Sequence, residues 1–301
     1  MKKKQIINIL NNLDIDKDKY IITGSTALLF YKIIKECDYI FLMGEEKIDN
    51  ELINVVNSSC DYETIHGFNI ESLNSLYEKE TNKTIKRKIN DLILMKDNHH
   101  FENVLHEKGY NLIAGCDEAG RGPLCGPVVC ASVVLPNDYN LPGLTDSKKL
   151  SEKQREKYFD IIKKDAISYS ISIIDNKKID EINILESSRL GMNEAVDNLD
   201  VKPDFIITDA MDLKRENALA IIKGDAKSIT IAAASVLAKV TRDHIMDEID
   251  KLHPEYELKK HKGYPTKRHL ELLQKYGILD IYRTTYNPVK EIIERNNNEI
   301  K

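Results

Sequence analysis

The alternation of apolar and polar positions changes character along the chain near residue 110. Beyond that point, short apolar runs bounded by Gly, Asp and Asn predict strands at 111–117, 127–135, 166–175, 204–210 and 219–224. Between and after them, apolar residues recur at helical spacing and predict helices over 151–164, 178–198, 231–250, 265–276 and 288–298. The first helix has a start signal, Ser151 as N-cap with Gln154 three residues on, which together form a capping box. Two strands close together, then strands separated by helices, predict an α/β fold: a mixed sheet flanked by helices. A charged helical stretch ends near residue 96, and the polar segment "KDNHHFENVLHEKGY" (96–110) follows it. Two domains are expected, a smaller N-terminal α/β accessory domain over 1–105 and a larger one over 106–301.

Composition narrows the classes. Of the 301 residues, 42% are hydrophobic, enough for a packed core, and the formal net charge of −5 gives no global basic field for nucleic acid. A nucleic-acid partner would have to be met by a local basic patch. Apolar runs such as 127–135 fall far short of a membrane span, and the start "MKKKQIINILNNLD" shows no signal-peptide pattern. The five cysteines lack metal-ligand spacing, so a reduced, cytoplasmic setting is expected. Cys116, Cys125 and Cys130 stand among small and apolar residues and read as core.

Against this background one stretch is out of place: "CDEAGRGPLCGPVV" (116–129) sets two acids and three glycines at the edge of apolar runs. Carboxylates beside a core are costly unless a cation neutralises them. Four acids share this context. Asp117 and Glu118 close the first predicted strand, Asp209 closes "FIIT", and Asp225 follows Gly224 in "IIKGDAKS". Each alone would suit a turn or a helix cap. Together at the strand ends of an α/β sheet, where ligands bind, they would converge along one edge. Such a cluster needs cations, and an all-oxygen donor set suits Mg²⁺ or Mn²⁺ better than zinc. Two ions about 4 Å apart would form a clamp for in-line attack of water on a phosphodiester.

The segments "GCDEAGRGPLCGPVVCASVVL", "LTDSKKLS", "NILESSRLGMNEAV", "ITDA", "IIKGDAKSITIAAASVLAKVTRD" and "HKGYPTKRH" occur in this order. Together they resemble ribonuclease HII, the type 2 ribonuclease H family, over about residues 110 to 290. The resemblance implies a ribonuclease H-like fold with a C-terminal helical segment. It implies endonucleolytic cleavage of the RNA strand in RNA–DNA hybrids, cleavage at single ribonucleotides embedded in duplex DNA, and hence a part in ribonucleotide excision repair. Asp117, Glu118, Asp209 and Asp225 match the family's four acids, which are at once catalytic and metal-binding. Gly120, Arg121 and Gly122 match its ribonucleotide-reading loop. Glycines there let the backbone approach a sugar, whose 2′-hydroxyl marks a ribonucleotide, while Arg121 offers a fork of donors to a phosphate. A Cβ at Gly120 or Gly122 is expected to enter the space the sugar needs. Type 3 relatives typically carry Lys at the position of Arg121, which favours type 2. Tyr264 matches the tyrosine that stacks on the sugar after the ribonucleotide. Ser147, Lys148 and Lys149 are expected at the phosphate backbone.

The run "KKHKGYPTKR" (259–268) holds five Lys or Arg and no acid, with Tyr264 in its midst, and reads as a substrate-facing patch. Lys239 and Arg242 read as supplementary contacts, Asp243 as a structural helix residue, and His261 and His269 as core or surface residues. "KGDAKS" lacks the spacing of a P-loop, so nucleotide hydrolysis is unsupported. The first hundred residues fall outside the nuclease pattern. "YIITGSTALLFYKIIKECDYIFLM" (20–43) faintly resembles the start of nucleotidyltransferase-like domains, with Asp38 at the first acid of an Asp-x-Asp pair but Ile40 at the second. A lone carboxylate would not hold two metals, so this segment reads as non-catalytic, with "TIKRKINDLILMK" (84–96) a helix near its end. The alternative is a nucleotidyltransferase in the N-terminal half with a nucleic-acid-binding C-terminal half. The missing acid argues against it.

Overall fold

The computed structural model describes residues 20–23, 41–44, 70–79, 81–145 and 147–299. The chain divides into two compact units, Met1–Asp97 and Asn98–Lys301. In the first, β1 (Tyr20–Thr23) pairs antiparallel with β2 (Phe41–Gly44). Helix α1 (Ile70–Lys79) precedes α2 (Lys83–Lys96), which starts where the Asn82 side chain accepts from the Thr84 and Ile85 N–H groups at 3.0 and 3.3 Å. Gly24, Ser25, Asp38 and Ile40, which carry the nucleotidyltransferase-like pattern, lie outside the described residues.

The second unit opens with α3 (His100–Glu107). The predicted boundary at 105/106 falls inside this helix, whose residues fasten to the sheet-bearing unit. Buried Glu102 accepts from the Ser228 hydroxyl at 2.6 Å and the Thr230 N–H at 3.1 Å, and the Asn98 carbonyl accepts from the Ile229 N–H at 2.7 Å.

Five strands then build one sheet: β3 (Ile113–Ala119), β4 (Val128–Val134), β5 (Ser168–Ile174), β6 (Phe205–Asp209) and β7 (Ala218–Ile221). Their order is β5-β4-β3-β6-β7, antiparallel through the first three and parallel from β3 to β7. Every residue of β4, VVCASVV, is buried, because helices cover both faces of the sheet. On one face α4 (Glu152–Asp165) and α6 (Ile229–Leu252) enclose Val129, Ala131 and Val133. On the other, the segment Asn176–Asp197, α5, encloses Ala114, Cys116, Cys130 and Ile174. The mixed α/β sheet flanked by helices is therefore as expected.

Two local details bear on the sequence reading. The capping box at Ser151 forms, with Ser151 Oγ accepting from the Gln154 N–H at 3.4 Å and Gln154 Oε1 from the Ser151 N–H at 3.0 Å. The helix predicted at 178–198 is broken at Asn183, whose φ of 66° is non-helical. Its side chain caps the continuation by accepting from the Leu185 and Glu186 N–H groups at 2.9 and 3.1 Å.

The C-terminal helices α7 (Leu258–His261), α8 (Lys267–Tyr276) and α9 (Asn287–Glu299) gather around Leu124, Cys125, Tyr256 and Tyr282 in a separate apolar cluster. No helix among the described residues is long and apolar enough to cross a membrane.

Candidate active site

The site starts from the centre of the sheet. Strand side chains alternate between faces, so Asp117 points to the α6 side and Glu118 to the side of Cys130, its cross-strand partner. Helix α6 lies very close to β3. A Cβ on Gly115 would stand 2.6 Å from Ile231 N and Thr230 O, so only glycine admits the helix there. That approach brings Ser235 of α6 into hydrogen-bonding contact with Asp117. It also places the turn before α6, a short 3-10 segment Gly224–Ala226 carrying Asp225, beside the same carboxylate. Asp209 ends β6, next to β3 in the sheet, and its Oδ1 accepts from the Gly224 N–H at 2.8 Å.

Asp117, Asp209 and Asp225 thus each present an oxygen within 4.8 Å of the others. Asp225 was expected at a strand end. Strand β7 stops at Ile221, and the acid sits instead in the turn that starts α6. Glu118 lies outside this trio. Its Oε1 meets Arg121 Nη1 at 3.3 Å, while its buried Oε2 bonds no group.

The electrostatics mark the cluster as a place for cations. Burial pushes the Asp117 carboxyl well above its usual range, and the charges of Glu118, Asp209 and Asp225 push the same way, against the Ser235 hydrogen bond. Burial also raises Glu118, and the Arg121 guanidinium partly offsets it. Lys148 Nζ approaches Asp225 Oδ2 at 3.9 Å. The converging oxygens, with no His or Cys among them, and the orphaned Glu118 Oε2 fit hard divalent cations.

The glycine loop joins β3 to β4 alongside the trio. Gly120 has φ +104°, a left-handed conformation open to few side chains. A Cβ there would meet Arg242 Cδ at 2.5 Å and Pro127 O at 2.7 Å, so packing beneath the loop by itself requires glycine. At Gly122 the nearest atom to a Cβ is Tyr264 Cε1 at 3.3 Å, which places Tyr264 at the loop. Tyr264 is 43% exposed beside that loop.

Other expected contacts are placed differently. Ser147 is buried, with its hydroxyl 2.9 Å from that of Ser235, so it props the residue that bonds Asp117 instead of facing outward. Lys148 and Lys149 are exposed beside it. The basic run at 259–268 is partly neutralised: Glu257 receives Lys260 at 2.7 Å and Arg268 at 2.5 Å, and Asp247 receives Lys262. Lys239 bonds Asp243 at 2.7 Å. Arg242 is no surface contact. Its buried guanidinium donates to the carbonyls of Pro127, Cys125 and Lys262 at 3.0, 3.2 and 3.0 Å.

His261 and His269 are core residues stacked at 4.1 Å. His269 bonds the Tyr264 carbonyl and the Tyr282 hydroxyl, and burial lowers it to about 4. The three described cysteines are buried and free, with burial raising Cys116 and Cys125 to about 12. Sequence reasoning missed Arg283. It is wholly buried beneath the glycine loop, and its surroundings, "DIYRTTY", carry no local signal of that role.

A mixed five-stranded sheet with carboxylates at its centre defines a ribonuclease H-like enzyme fold. Residues 114–289 match the family model of ribonuclease HII. Over 226 residues the chain is 46% identical to ribonuclease HII of Bacillus cytotoxicus, covering 75% of this chain and 86% of that one. It is 50% identical over 212 residues to ribonuclease HII of Acetivibrio thermocellus, covering 70% and 78% respectively. The crystal structure of ribonuclease H2 from Pyrococcus horikoshii superposes with a TM-score of 0.56 at 32% identity, over 62% of this chain and 99% of that one. The chain belongs to the ribonuclease HII family, and its activity is that of a ribonuclease H.

Proposed function

We propose that this endonuclease of RNA–DNA hybrids also cuts at single ribonucleotides embedded in duplex DNA, and that two divalent ions, Mg²⁺ or Mn²⁺, serve the hydrolysis. The observation that carries the reading is the meeting of Asp117, Asp209 and Asp225 within 4.8 Å beside a glycine loop. These three would hold the ions, with Glu118 joining through its free Oε2. When bound, such ions supply an activated water and charge stabilisation for phosphodiester hydrolysis.

The chain's own groups do the rest. Backbone donors of Gly120–Gly122 approach the sugar and read its 2′-hydroxyl. Arg121, which meets Glu118 Oε1 at 3.3 Å, would hold a phosphate with its remaining donors. Tyr264 stacks on the following sugar, and Lys148 and Lys149 steady the phosphate backbone without reading sequence. Ser147 acts through Ser235 on Asp117. Excision of misincorporated ribonucleotides is the repair that such a cut would begin.

The test uses the full chain with three labelled duplexes of one sequence: a uniform RNA–DNA hybrid, DNA with one ribonucleotide, and all-DNA. Cleavage of the first two, dependent on Mg²⁺ or Mn²⁺ and abolished by chelator, is expected. Cleavage of the hybrid alone would remove the single-ribonucleotide activity, and cleavage that survives chelation would remove the metal mechanism.

A further inference from the structure

Between β3 and β4 the far part of the glycine loop forms an isolated bridge from Cys125 to Tyr282, but Gly120–Gly122 pair with no strand among the described residues, so something else must set their shape. A buried guanidinium lies beneath it. Arg283 Nη2 donates to Gly120 O at 2.6 Å and Gly126 O at 2.9 Å, Nε to Gly126 O at 3.1 Å, and Nη1 to Arg121 O at 3.0 Å. Nη1 also donates to the Tyr286 hydroxyl at 3.1 Å, which in turn donates to Arg121 O at 2.9 Å. The Tyr286 ring lies 5.1 Å from the guanidinium carbon, a cation–π contact that fixes its plane. The segment bearing both residues is itself anchored. Asp180 accepts from the N–H and hydroxyl groups of Thr284 and Thr285 at 2.6–3.0 Å, and the Arg283 N–H donates to Leu124 O at 2.8 Å.

A trans peptide holds its carbonyl and the next N–H pointing in opposite directions. With the Gly120 and Arg121 carbonyls turned inward onto Arg283, the N–H groups of Arg121 and Gly122 are turned away from it, and neither donates to another group among the described residues. We infer that Arg283, with Tyr286, is the positioning residue of the ribonucleotide-reading loop: it pins two successive carbonyls so that two successive backbone donors face the 2′-hydroxyl. A planar fork with five donors can serve three carbonyls and a phenol at once, whereas a lysine ammonium is a point charge that cannot. The inference rests on the proposed reading of a single ribonucleotide by this loop.

The test separates the 2′-hydroxyl from the rest of the duplex. Cleavage of DNA bearing one ribonucleotide gives kcat/KM, and inhibition of that cleavage by the all-deoxy duplex of the same sequence gives a Ki that reports every contact except the one to the 2′-hydroxyl. Tyr286→Phe keeps the ring and the fold but removes the hydroxyl. It should lower kcat/KM roughly three- to tenfold, the range spanned by one neutral hydrogen bond, and leave Ki unchanged. Arg283→Lys should lower kcat/KM by more than roughly tenfold, since several charge-assisted bonds are lost, again with little change in Ki. If Arg283→Lys does not fold, Tyr286→Phe decides alone. Unchanged kcat/KM in Tyr286→Phe, or equal losses in kcat/KM and affinity for the all-deoxy duplex, would overturn the positioning role. Failure of the wild-type chain to cut the single-ribonucleotide duplex would instead refute the reading on which it rests.

Discussion

Placing an alanine at Gly115 should pry the active site open from behind. The new Cβ would stand 2.4 Å from the Thr230 carbonyl carbon and 2.6 Å from Ile231 N, where ordinary contact begins at 3.4 Å, so α6 must retreat by about 1 Å. The obstructing atoms are backbone, and no side chain can swing aside. Overpacking of this kind costs about 1–3 kcal/mol. At about 3 °C per kcal/mol for a unit of this size, the melting temperature should fall by about 3–9 °C. The retreat also moves the turn carrying Asp225 away from Asp117, two residues beyond Gly115 on the same face of β3, and misplacement on this scale can cost roughly a hundredfold in rate. Thermal unfolding by circular dichroism and cleavage of a uniform hybrid measure the two effects. Gly109→Ala is the control. Its φ of +91° is strained but no atom lies within 4 Å, so it should lose about 1 kcal/mol with cleavage intact. A Gly115→Ala chain with wild-type melting and wild-type turnover would refute the reasoning, because α6 would then not depend on that close approach.

Asp117→Asn or Asp209→Asn should nearly abolish cleavage with the fold intact, and a Mn²⁺ titration should show weakened binding; wild-type turnover by either would remove the metal-ligand assignment. Because Asp117 is raised above its ordinary 3.8, the folded chain favours the protonated acid, so its contribution is full below that value and is lost as pH rises through the higher folded value. In chelator, melting temperatures of wild type and Asp117→Asn should therefore diverge in favour of Asn as pH rises from about 4, and parallel curves would contradict the burial argument. A chain starting at Asn98 should fold and cleave, whereas one starting at residue 106 forfeits the Glu102 bonds to Ser228 and Thr230 and should melt lower; equal melting would show that α3 adds nothing. Tyr264→Ala should reduce cleavage at a single ribonucleotide more than cleavage of a uniform hybrid, since stacking is worth roughly 1–3 kcal/mol and a continuous RNA strand offers other registers. An unchanged ratio of the two activities would make Tyr264 structural.

Local patterns along the chain determined much of this protein. Alternation placed five strands of the second unit within a few residues of their ends, and the Ser151–Gln154 pair marked the start of α4, because each signal acts over a few neighbouring positions. The acids were legible for the same reason: a carboxylate beside an apolar run is conspicuous without knowing its partners. Which charges meet was decided only by the tertiary structure. Strand parity leaves Glu118 out of the trio around Asp117, and the close seat of α6 on Gly115 draws Asp225 out of a strand end and into a turn beside that acid. Glu257 and Asp247 neutralise much of a basic run that contains no acid of its own. Arg242 and Arg283, polar by composition, are buried because backbone carbonyls of the glycine loop, distant in sequence, satisfy their donors. A guanidinium's partners are set by the path of the whole chain, and no pattern of neighbours along the sequence encodes that path.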